Sequence, residues 1–310
     1  MIQSFSQKVK YEISNIIISR QNALIEMSSL IILNGKIINL ISDDHSNIVV
    51  STENKLIATK LFTLIYNSFR IYPNISVQIG QKKPKYLLCI TPSQGSLRII
   101  QAMKYSIDFI DKRLFKNIDD HRAFIRSCFL SNGTINDPNK SYHLEFFINN
   151  GQLANQLANS IDRFNIKLNI TKRGTTSIIY LKDSESIVKL LNIIGAHKSL
   201  FEYENIRLLK EVRNNINRKV NFETANLGRT ATASSNQIKS IKIIESTIGL
   251  DALDEPLYEV ASLRLKYPNA SLKELGDYCN PPLGKSGINH RLKKLIEIAE
   301  KCHSHKEDLC

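Results

Sequence analysis

Along much of the chain, apolar residues recur at every third or fourth position, the spacing of a helix with one buried face. In the first part of the chain these stretches alternate with shorter ones in which every second residue is apolar, as in a half-buried strand. Turns containing Gly, Asn or Pro separate the two kinds of stretch. The pattern predicts helices over 21–33, 53–69 and 93–103, and strands over 36–41, 47–51, 75–79 and 86–90.

The same order of elements is predicted a second time further along the chain. Helices are expected over 119–130, 152–164 and 186–194, and strands over 133–135, 142–148, 168–172 and 177–181. The first helix of each copy runs into an Asn-Gly pair, Asn34-Gly35 and Asn132-Gly133. We therefore predict two related α+β lobes, about 1–105 and 117–218, within an N-terminal domain of residues 1–218.

The remainder of the chain has only helical spacing. A helix over 199–217 is followed by residues 221–234, which are rich in Asn, Thr, Ala and Ser and poor in large apolar residues. Such composition is typical of a linker or of a short helical junction. Helices are expected over 235–247, 256–266, 271–279 and 286–301. The prediction is a linker at 219–234 and an all-α domain at 235–310.

The charge of the chain favours a polyanionic partner. Lys and Arg together number 42 against 29 Asp and Glu, which gives a net charge of +13 and a pI near 9.4. A positive surface attracts phosphate backbones, so we expect nucleic acid. Abundant Asn, Ile and Lys are also typical of proteins from AT-rich genomes, so the charge alone leaves the question open.

The cysteines and the apolar stretches indicate where the protein works. Five cysteines without C-x-x-C spacing fit a reducing cytosol and argue against disulfides or a zinc site. A tail with Cys302, His303, His305 and Cys310 has metal-binding residue types, but at a polar terminus fraying is the simpler expectation. Neither a signal peptide nor a membrane span is expected, because the start is polar and charges interrupt the most apolar stretch, 16–41.

The most specific local pattern lies near the C-terminus and predicts a helix-turn-helix. Ser271 and Glu274 form a capping box at a short helix, whose buried side we assign to Leu272, Leu275 and Tyr278. A sharp turn at 280–284 follows, and Ser286 then caps a second helix. In that helix Ile288, Leu292, Leu295 and Ile296 are expected to face inward. Polar donors on the outer side of a second helix are how a helix-turn-helix reads DNA; a helical hairpin that binds another protein is the alternative.

These residues resemble a known family. The stretch Asn280-Pro-Pro-Leu-Gly-Lys-Ser-Gly-Ile-Asn-His-Arg-Leu292 is similar to the bacterial WhiA family, and further blocks of likeness lie at 129–145, 194–198, 204–214, 218–228 and 267–276. The resemblance implies a two-lobed, LAGLIDADG homing-endonuclease-like N-terminal domain followed by an all-α helix-turn-helix domain like region 4 of sigma factors. It also implies a DNA-binding regulator of transcription, linked to sporulation, cell division and chromosome segregation.

The resemblance further indicates that the endonuclease chemistry is lost. In active LAGLIDADG enzymes an acidic residue precedes the glycine at the end of each central helix and binds Mg²⁺. The corresponding positions here are Asn34 and Asn132. A neutral amide can ligate a hard cation but brings no charge, so we expect neither metal, nor cofactor, nor catalysis. Small residues that suit close packing of the two helices remain at Ser28, Ser29 and Ser127.

Other acidic and basic residues are candidates for further sites. Asp43, Asp44, Asp119, Asp120 and Asp137 lie at turns or helix starts, where structural roles account for them. Basic residues at two hairpins are Lys82, Lys83, Lys85, Lys172 and Arg173. In the endonuclease fold the sheet surface lies along DNA, so these residues are either DNA contacts or solvated turns.

The sequence therefore predicts a cytoplasmic, nucleoid-associated protein that binds double-stranded DNA selectively and carries out no catalysis. The residues expected to read base edges are Lys285, Ser286, Asn289, His290 and Arg291, and those expected to hold phosphate are Lys273, Lys293 and Lys294, with Ser271 at the start of the first helix. Two alternatives stay open. One is a metal-dependent DNA endonuclease; the other is an N-terminal protein-docking module with DNA binding confined to the C-terminal domain.

Overall fold

The structure is a computed structural model that describes residues 3–38, 46–79, 83–106 and 108–307, with the backbone alone at Lys36, Ile38 and 303–307. Asp43, Asp44, Lys82 and Cys310 lie outside the described residues. The chain divides into two compact units, Met1–Lys210 (unit 1) and Glu211–Cys310 (unit 2).

Unit 1 begins with one α+β lobe. Its elements are α1 (Phe5–Ser14), α2 (Arg20–Asn34), β1 (Gly35–Ile38), β2 (Asn47–Thr52), α3 (Lys55–Phe69), β3 (Asn74–Gln78), β4 (Lys85–Ile90) and α4 (Ser96–Met103). The four strands form one antiparallel sheet in the order β1-β2-β4-β3. Alternate residues of β2 and β4 are buried under the helices, as the period of two predicts.

A second lobe repeats this order. It consists of α5 (Ile118–Asn132), β5 (Gly133–Ile135), β6 (Leu144–Ile148), α6 (Gly151–Asp162), β7 (Asn169–Arg173), β8 (Thr176–Leu181) and α7 (Ser184–Ile193). Its sheet is again antiparallel, in the order β5-β6-β8-β7. The prediction of two copies of one α+β unit is confirmed.

Helix α1 was not predicted from the sequence. Ser4 and Gln7 form a capping box, in which the Gln7 amide N–H donates to Ser4 Oγ (3.2 Å) and the Ser4 N–H donates to Gln7 Oε1 (2.9 Å). Phe5, Val9 and Ile13 follow at helical spacing and are buried. The polar appearance of the first residues hid a short amphipathic helix.

Helices α2 and α5 pack along each other more extensively than any other pair of helices described. Ser28, Ser29 and Ser127 are buried in this region. Each hydroxyl donates to a carbonyl oxygen of its own helix at 2.8 Å, so no hydroxyl is buried without a partner. Small, internally bonded side chains allow the two helices to approach closely, as expected.

A buried ion cluster links α2, α3 and α5. Glu26 Oε1 lies 3.0 Å from Arg126 Nη1, and Glu26 Oε2 lies 3.6 Å from Lys60 Nζ. The remaining donors are also bonded, since Arg126 Nε donates to the Ile194 carbonyl and Lys60 Nζ donates to the Ile16 carbonyl, both at 2.8 Å. Burial raises the pKa of the Glu26 carboxyl, and the two cations oppose that rise.

Helix α8 runs from His197 to Thr247. The sequence predicts two helices here, 199–217 and 235–247, with residues 219–234 between them. Residues 219–234 are helical instead, because they contain no proline and only one glycine, Gly228. The helical-junction alternative thus describes them, and the domain boundaries at 218 and 235 stay a prediction.

Unit 2 contains the last part of α8 together with α9 (Glu255–Lys266), α10 (Leu272–Asp277) and α11 (Lys285–Glu307). Its hydrophobic core is separate from that of unit 1. The core residues are Ile241, Ile244, Leu257, Val260, Ala261, Leu275, Cys279, Ile288, Leu292, Leu295 and Ala299. Both α9 and α10 pack against α11, and this holds α11 by one side only.

Candidate nucleic-acid interface

The first helix of the pair, α10, begins at the capping box that the sequence predicts. The Glu274 N–H donates to Ser271 Oγ (3.3 Å), and the Ser271 N–H donates to Glu274 Oε2 (2.7 Å). The backbone N–H of Ser271 lowers the pKa of the Glu274 carboxyl. The Ser271 side chain is therefore occupied as a helix cap, while Lys273, on the same helix, is exposed.

A close backbone approach fixes the turn between α10 and α11. The Leu283 N–H donates to the Gly276 carbonyl at 2.9 Å. A Cβ atom on Gly276 would lie 2.0 Å from the Leu283 carbonyl oxygen, a separation that no carbon atom tolerates. Only glycine fits at this position, and it lets the turn fold back against α10.

Helix α11 has one buried and one open side. Ile288, Leu292 and Leu295 are buried as predicted, and Ile296 is half-buried. Five polar side chains of its first turns are exposed: Lys285, Ser286, Asn289, His290 and Lys293. No hydrogen bond or ion pair joins any of these five side chains to the described part of the chain. Their donors and acceptors therefore face water. The expectation that Ser286 caps α11 is wrong, because the helix begins at Lys285 and, within the described residues, no N–H group donates to Ser286 Oγ.

Arg291 departs from the expectation that it faces outward. It is half-buried, with Nη1 lying 3.7 Å from Glu259 Oε2 and 3.5 Å from the Pro256 carbonyl on α9. Glu259 Oε1 also accepts from the Asn280 N–H of the turn (2.8 Å), so this one carboxylate joins α9, the turn and α11. Lys294 is exposed, and its Nζ lies 3.7 Å from Asp254 Oδ2. Sequence reasoning missed Glu259, because its spacing on α9 resembles that of any solvated glutamate.

The expectation that Tyr278 lies on the buried side of α10 is wrong. Tyr278 is 51% exposed, and its ring packs at a tilt against that of Tyr267, with centroids 4.7 Å apart. Tyr278 is the C-cap residue of α10 and still has a helical conformation, but its ring pairs with Tyr267 instead of joining the buried side of the helix. Lys266 Nζ lies 5.4 Å from the centre of the Tyr267 ring. An aromatic pair with a cation thus lies beside the short helix.

In unit 1, hydrogen bonds join Asn34 and Asn132, the two positions that the resemblance aligns with the metal ligands of active enzymes. Asn34 Nδ2 donates to Ser131 Oγ (2.8 Å) and to the Leu30 carbonyl (3.0 Å), and Ser131 Oγ donates to Asn132 Oδ1. Asn132 Nδ2 donates to the Phe147 carbonyl (2.8 Å). We call this arrangement the Asn34–Ser131–Asn132 chain.

An ammonium group lies beside that chain. Lys10 Nζ lies 3.4 Å from the Ser131 carbonyl, and burial lowers the pKa of Lys10 to about 8. Asn34 directs its N–H donors to Ser131 and Leu30, and Asn132 Oδ1 already accepts from the Ser131 hydroxyl. Two neutral amides bonded in this way, with a lysine next to them, do not fit a divalent cation. Helix α1 supplies Lys10, so its contribution could not be foreseen without that helix.

Of the acidic residues considered as replacement ligands, the three that the structure describes have structural partners. Asp120 Oδ2 accepts from the N–H groups of Lys116 (2.7 Å) and Asn117 (2.9 Å), and Asp119 pairs with Arg122. Asp137 accepts from the Asn139 N–H (2.9 Å). In the described part of the chain, no group of three or more His, Cys, Asp or Glu side chains could hold a metal ion.

The outer faces of the two sheets carry few charges. Residues paired across the strands share a face, which places Val49, Cys89 and Asn74 together and Ser51, Leu87 and Ser76 together. In the second sheet the corresponding rows are Phe147, Ile178 and Thr171, and Glu145, Tyr180 and Asn169. Lys83, Lys85, Lys172 and Arg173 are exposed at or near the hairpin ends. Most cations of these faces lie at the hairpin ends; away from them, Lys36 is in register with Val49, and Lys182 Nζ lies 5.2 Å from the centre of the Tyr180 ring.

Comparison with known proteins assigns both units to one family. The family model described as the WhiA N-terminal LAGLIDADG-like domain matches residues 20–102, and that of the WhiA LAGLIDADG-like domain matches 121–213. The model of the WhiA C-terminal HTH domain matches residues 216–299. The expected fold class, a LAGLIDADG-like two-lobed domain followed by a helix-turn-helix domain, is confirmed. Within the described ranges, no helix combines the length and apolarity needed to cross a bilayer.

Individual relatives are similar to this chain over nearly its whole length. A "Probable cell division protein WhiA" from Clostridium beijerinckii is 42% identical over 98% of this chain and 100% of its own length, and one from Clostridium novyi is 43% identical over 96% and 98%. The solved structure titled full-length DUF199/WhiA from Thermatoga maritima is 29% identical, covers 97% of this chain and 99% of its own, and has a TM-score of 0.59. The chain belongs to the WhiA family.

Proposed function

We propose that this protein binds double-stranded DNA selectively through unit 2 and thereby regulates transcription linked to cell division and chromosome segregation. It acts in the cytoplasm, at the nucleoid, and carries out no catalysis. The observation that carries the proposal is the open side of α11, where Lys285, Ser286, Asn289, His290 and Lys293 are exposed and unpaired among the described residues. The helix-turn-helix match and the names of the relatives, cell division proteins, support it.

The chemistry of this side divides into two roles. Asn289 and Ser286 can donate and accept hydrogen bonds at base edges, and His290 is exposed on the same side. Lys285, Lys293 and Lys273 supply charge for phosphates. Lys294 remains available for the same purpose, since an exposed ion pair at 3.7 Å from Asp254 is weak. Arg291 holds α11 against α9 in this assignment, and Ser271 acts as a cap.

Two variants of α11 test the assignment of phosphate contacts and of base contacts. Replacing Lys293 and Lys294 with Ala should weaken binding to all sequences alike and reduce the salt slope of log affinity by about one unit per lost contact. Replacing Asn289 with Ala should blur preference at one base pair by about 1–3 kcal/mol. Isotherms at several salt concentrations measure both effects, with Lys242→Ala, an exposed lysine of α8, as control. If neither change alters binding, α11 is not the reading helix.

The low number of charges on the sheet faces of unit 1 supports DNA binding by unit 2 alone. A surface that follows a phosphate backbone needs cations along its length, whereas Val49, Leu87, Cys89, Phe147 and Ile178 dominate here. Replacing Lys85 and Arg173 with Ala in the full chain should therefore leave affinity and salt slope unchanged. A lower slope would instead indicate a second DNA contact through the sheets.

Loss of catalysis is the remaining part of the proposal. Without two carboxylates at the helix ends, no group in the Asn34–Ser131–Asn132 chain can neutralise Mg²⁺. Incubation with supercoiled plasmid and Mg²⁺ or Mn²⁺ should give no nicking. Metal-dependent nicking that disappears in Asn132→Ala would restore the endonuclease alternative.

A further inference from the structure

A groove in unit 1, distant in sequence from the helix-turn-helix, has no role in the function proposed above. It lies between the segment 109–118 and one side of α6, and encloses about 940 Å³. Three cationic side chains border it, Lys112, Lys116 and Arg163, and all three are exposed. Among the described residues that line it, none is acidic. We call it the α5–α6 groove.

Three acids close to the groove already have partners, while Asp162, next to Arg163 at the end of α6, is exposed and forms no ion pair within the described residues. Asp111 Oδ2 lies 2.5 Å from Arg113 Nη2, and hydrogen bonding to Arg113 lowers the pKa of the Asp111 carboxyl to about 2. Asp119 pairs with Arg122, and Asp120 accepts backbone N–H groups at the start of α5. No ion pair joins Lys112, Lys116 or Arg163 to an acid in the described part of the chain. The positive charge of the groove is therefore not neutralised locally.

The groove also presents apolar and amide surface. Phe109 is 39% exposed and Ile118 is 44% exposed, so apolar surface at the groove is open to a ligand. Along α6, Gln152, Asn155 and Asn159 line the opposite wall at helical spacing. Gln156 is already used, since it donates to the Ile110 carbonyl (2.8 Å) and accepts from the Ile110 N–H (3.0 Å), which fixes the facing segment to α6. The walls are thus held in place while their outer groups remain free to bind.

We propose that the α5–α6 groove docks an acidic peptide segment of a partner protein, with apolar side chains as anchors. Its carboxylates would meet Lys112, Lys116 and Arg163, because opposite charge across an interface sets specificity and speeds encounter. Its apolar residues would cover Ile118 and Phe109, and the amides of α6 would pair with peptide groups of its main chain. A phosphodiester backbone meets the charge equally well, but offers nothing that covers the aliphatic side chain of Ile118.

Selection from a display library of random peptides of about 12 residues tests the proposal even though the partner is unidentified. The full chain is immobilised, and phage that bind the variant Lys112→Glu/Lys116→Glu/Arg163→Glu are removed. Enriched peptides should be rich in Asp and Glu with interspersed Leu, Ile or Phe. Each is synthesised with a fluorescent label, and its affinity is measured by anisotropy.

The expected result is a loss of about tenfold or more in affinity on the triple charge-reversal variant, and a smaller loss on Ile118→Ser, which keeps every charge. The matched control Lys83→Glu/Lys140→Glu/Lys167→Glu makes the same change in net charge at exposed positions outside the groove, and it should retain affinity. A Lys112→Gln/Lys116→Gln/Arg163→Gln variant replaces the charge reversal if the latter lowers the melting temperature.

Two outcomes would overturn the proposal. Enriched peptides without acidic character, or peptides that bind groove and control variants equally, would show that the groove does not select acidic segments. A single-stranded oligonucleotide whose binding is lost on the groove variant, while the acidic peptides bind unchanged, would assign the groove to nucleic acid.

Discussion

Two helix pairs of this protein carry Asn and Ser residues near a helix terminus, and the side chains have opposite surroundings in the two pairs. In unit 1 the ends of α2 and α5 carry Asn34 and Asn132, whose amides are bonded through Ser131 and to backbone carbonyls. In unit 2 the first turns of α11 carry Asn289 and Ser286. Their side chains are exposed and form no hydrogen bond to the described part of the chain.

The difference lies in how each polar group is satisfied. A buried or half-buried amide must find a partner within the protein, and such bonds stabilise the fold but leave nothing for a ligand. An exposed amide is satisfied by water, which a base edge can displace. Equal residue types thus indicate structure in one unit and recognition in the other, and this supports DNA binding by unit 2.

The largest expected effect concerns the ion cluster that joins α2 to α5. Glu26→Gln leaves Arg126 and Lys60 buried without a counter-charge, and we expect unfolding of unit 1 to become easier by about 3–5 kcal/mol. Denaturant unfolding measures this, with Glu185→Gln, from an exposed pair with Lys189, as a control that should change little. A loss below about 1 kcal/mol would mean that the cluster adds little to the helix pair.

The next largest effect concerns the turn of the second pair. Gly276→Ala forces a methyl group against the Leu283 carbonyl, and we expect a cost of about 3 kcal/mol in unit 2 together with loss of DNA binding. Gly287→Ala is the control, because a Cβ there meets only Leu283 side-chain atoms at 3.7 Å or more. Normal DNA binding by Gly276→Ala would show that the turn can open without consequence for α11.

The sequence was sufficient for regular elements and insufficient for what lies between them. The repeated lobes could be predicted because alternation and helical spacing relate residues only a few positions apart within one element. Helix α1 was missed although Ser4 and Gln7 give a capping-box signal, since the surrounding residues are polar. Continuity of α8 through 219–234 was missed because the composition is typical of a linker, although helix-breaking residues are nearly absent.

The candidate site shows the same limit. That Lys285, Ser286, Asn289, His290 and Lys293 are exposed follows from the spacing of Ile288, Leu292 and Leu295 alone. The ion pair of Arg291 with Glu259 depends on how α9 packs against α11, and the position of the Tyr278 ring depends on Tyr267, which precedes α10. Both are contacts between separate segments of the chain, and the spacing of residues within α11 or α10 cannot predict them.

An effect of intermediate size is expected in the pH dependence of the stability of unit 1, where Lys10 lies beside the ends of α2 and α5. A lysine whose pKa falls from 10.5 to about 8 on folding binds its proton less readily in the folded than in the unfolded chain. Lys10 therefore costs stability below pH 8, and the cost disappears as the pH rises through the interval from about 8 to 10.5.

Over that interval the unfolding free energy of the native protein should rise relative to Lys10→Met by about 2 kcal/mol, less than the full shift implies because the side chain is only partly buried. Lys10→Arg stays charged throughout and should show no such relative rise. Parallel curves for all three proteins would mean that burial does not lower the pKa of Lys10 in the folded chain.

The smallest expected effect decides whether Arg291 holds α11 in position or contacts a base directly. If it positions α11 through Glu259, then Arg291→Gln and Glu259→Gln should each weaken binding to every DNA sequence in the same proportion, by about 1 kcal/mol or less, and leave base preference intact. Affinities for a set of operator variants, each altered at one base pair, measure this, with Lys242→Ala as control. Arg291 reads a base instead if Arg291→Gln alone lowers discrimination at a single position by about 1–3 kcal/mol, because a half-buried guanidinium would then have to leave Glu259 when DNA binds.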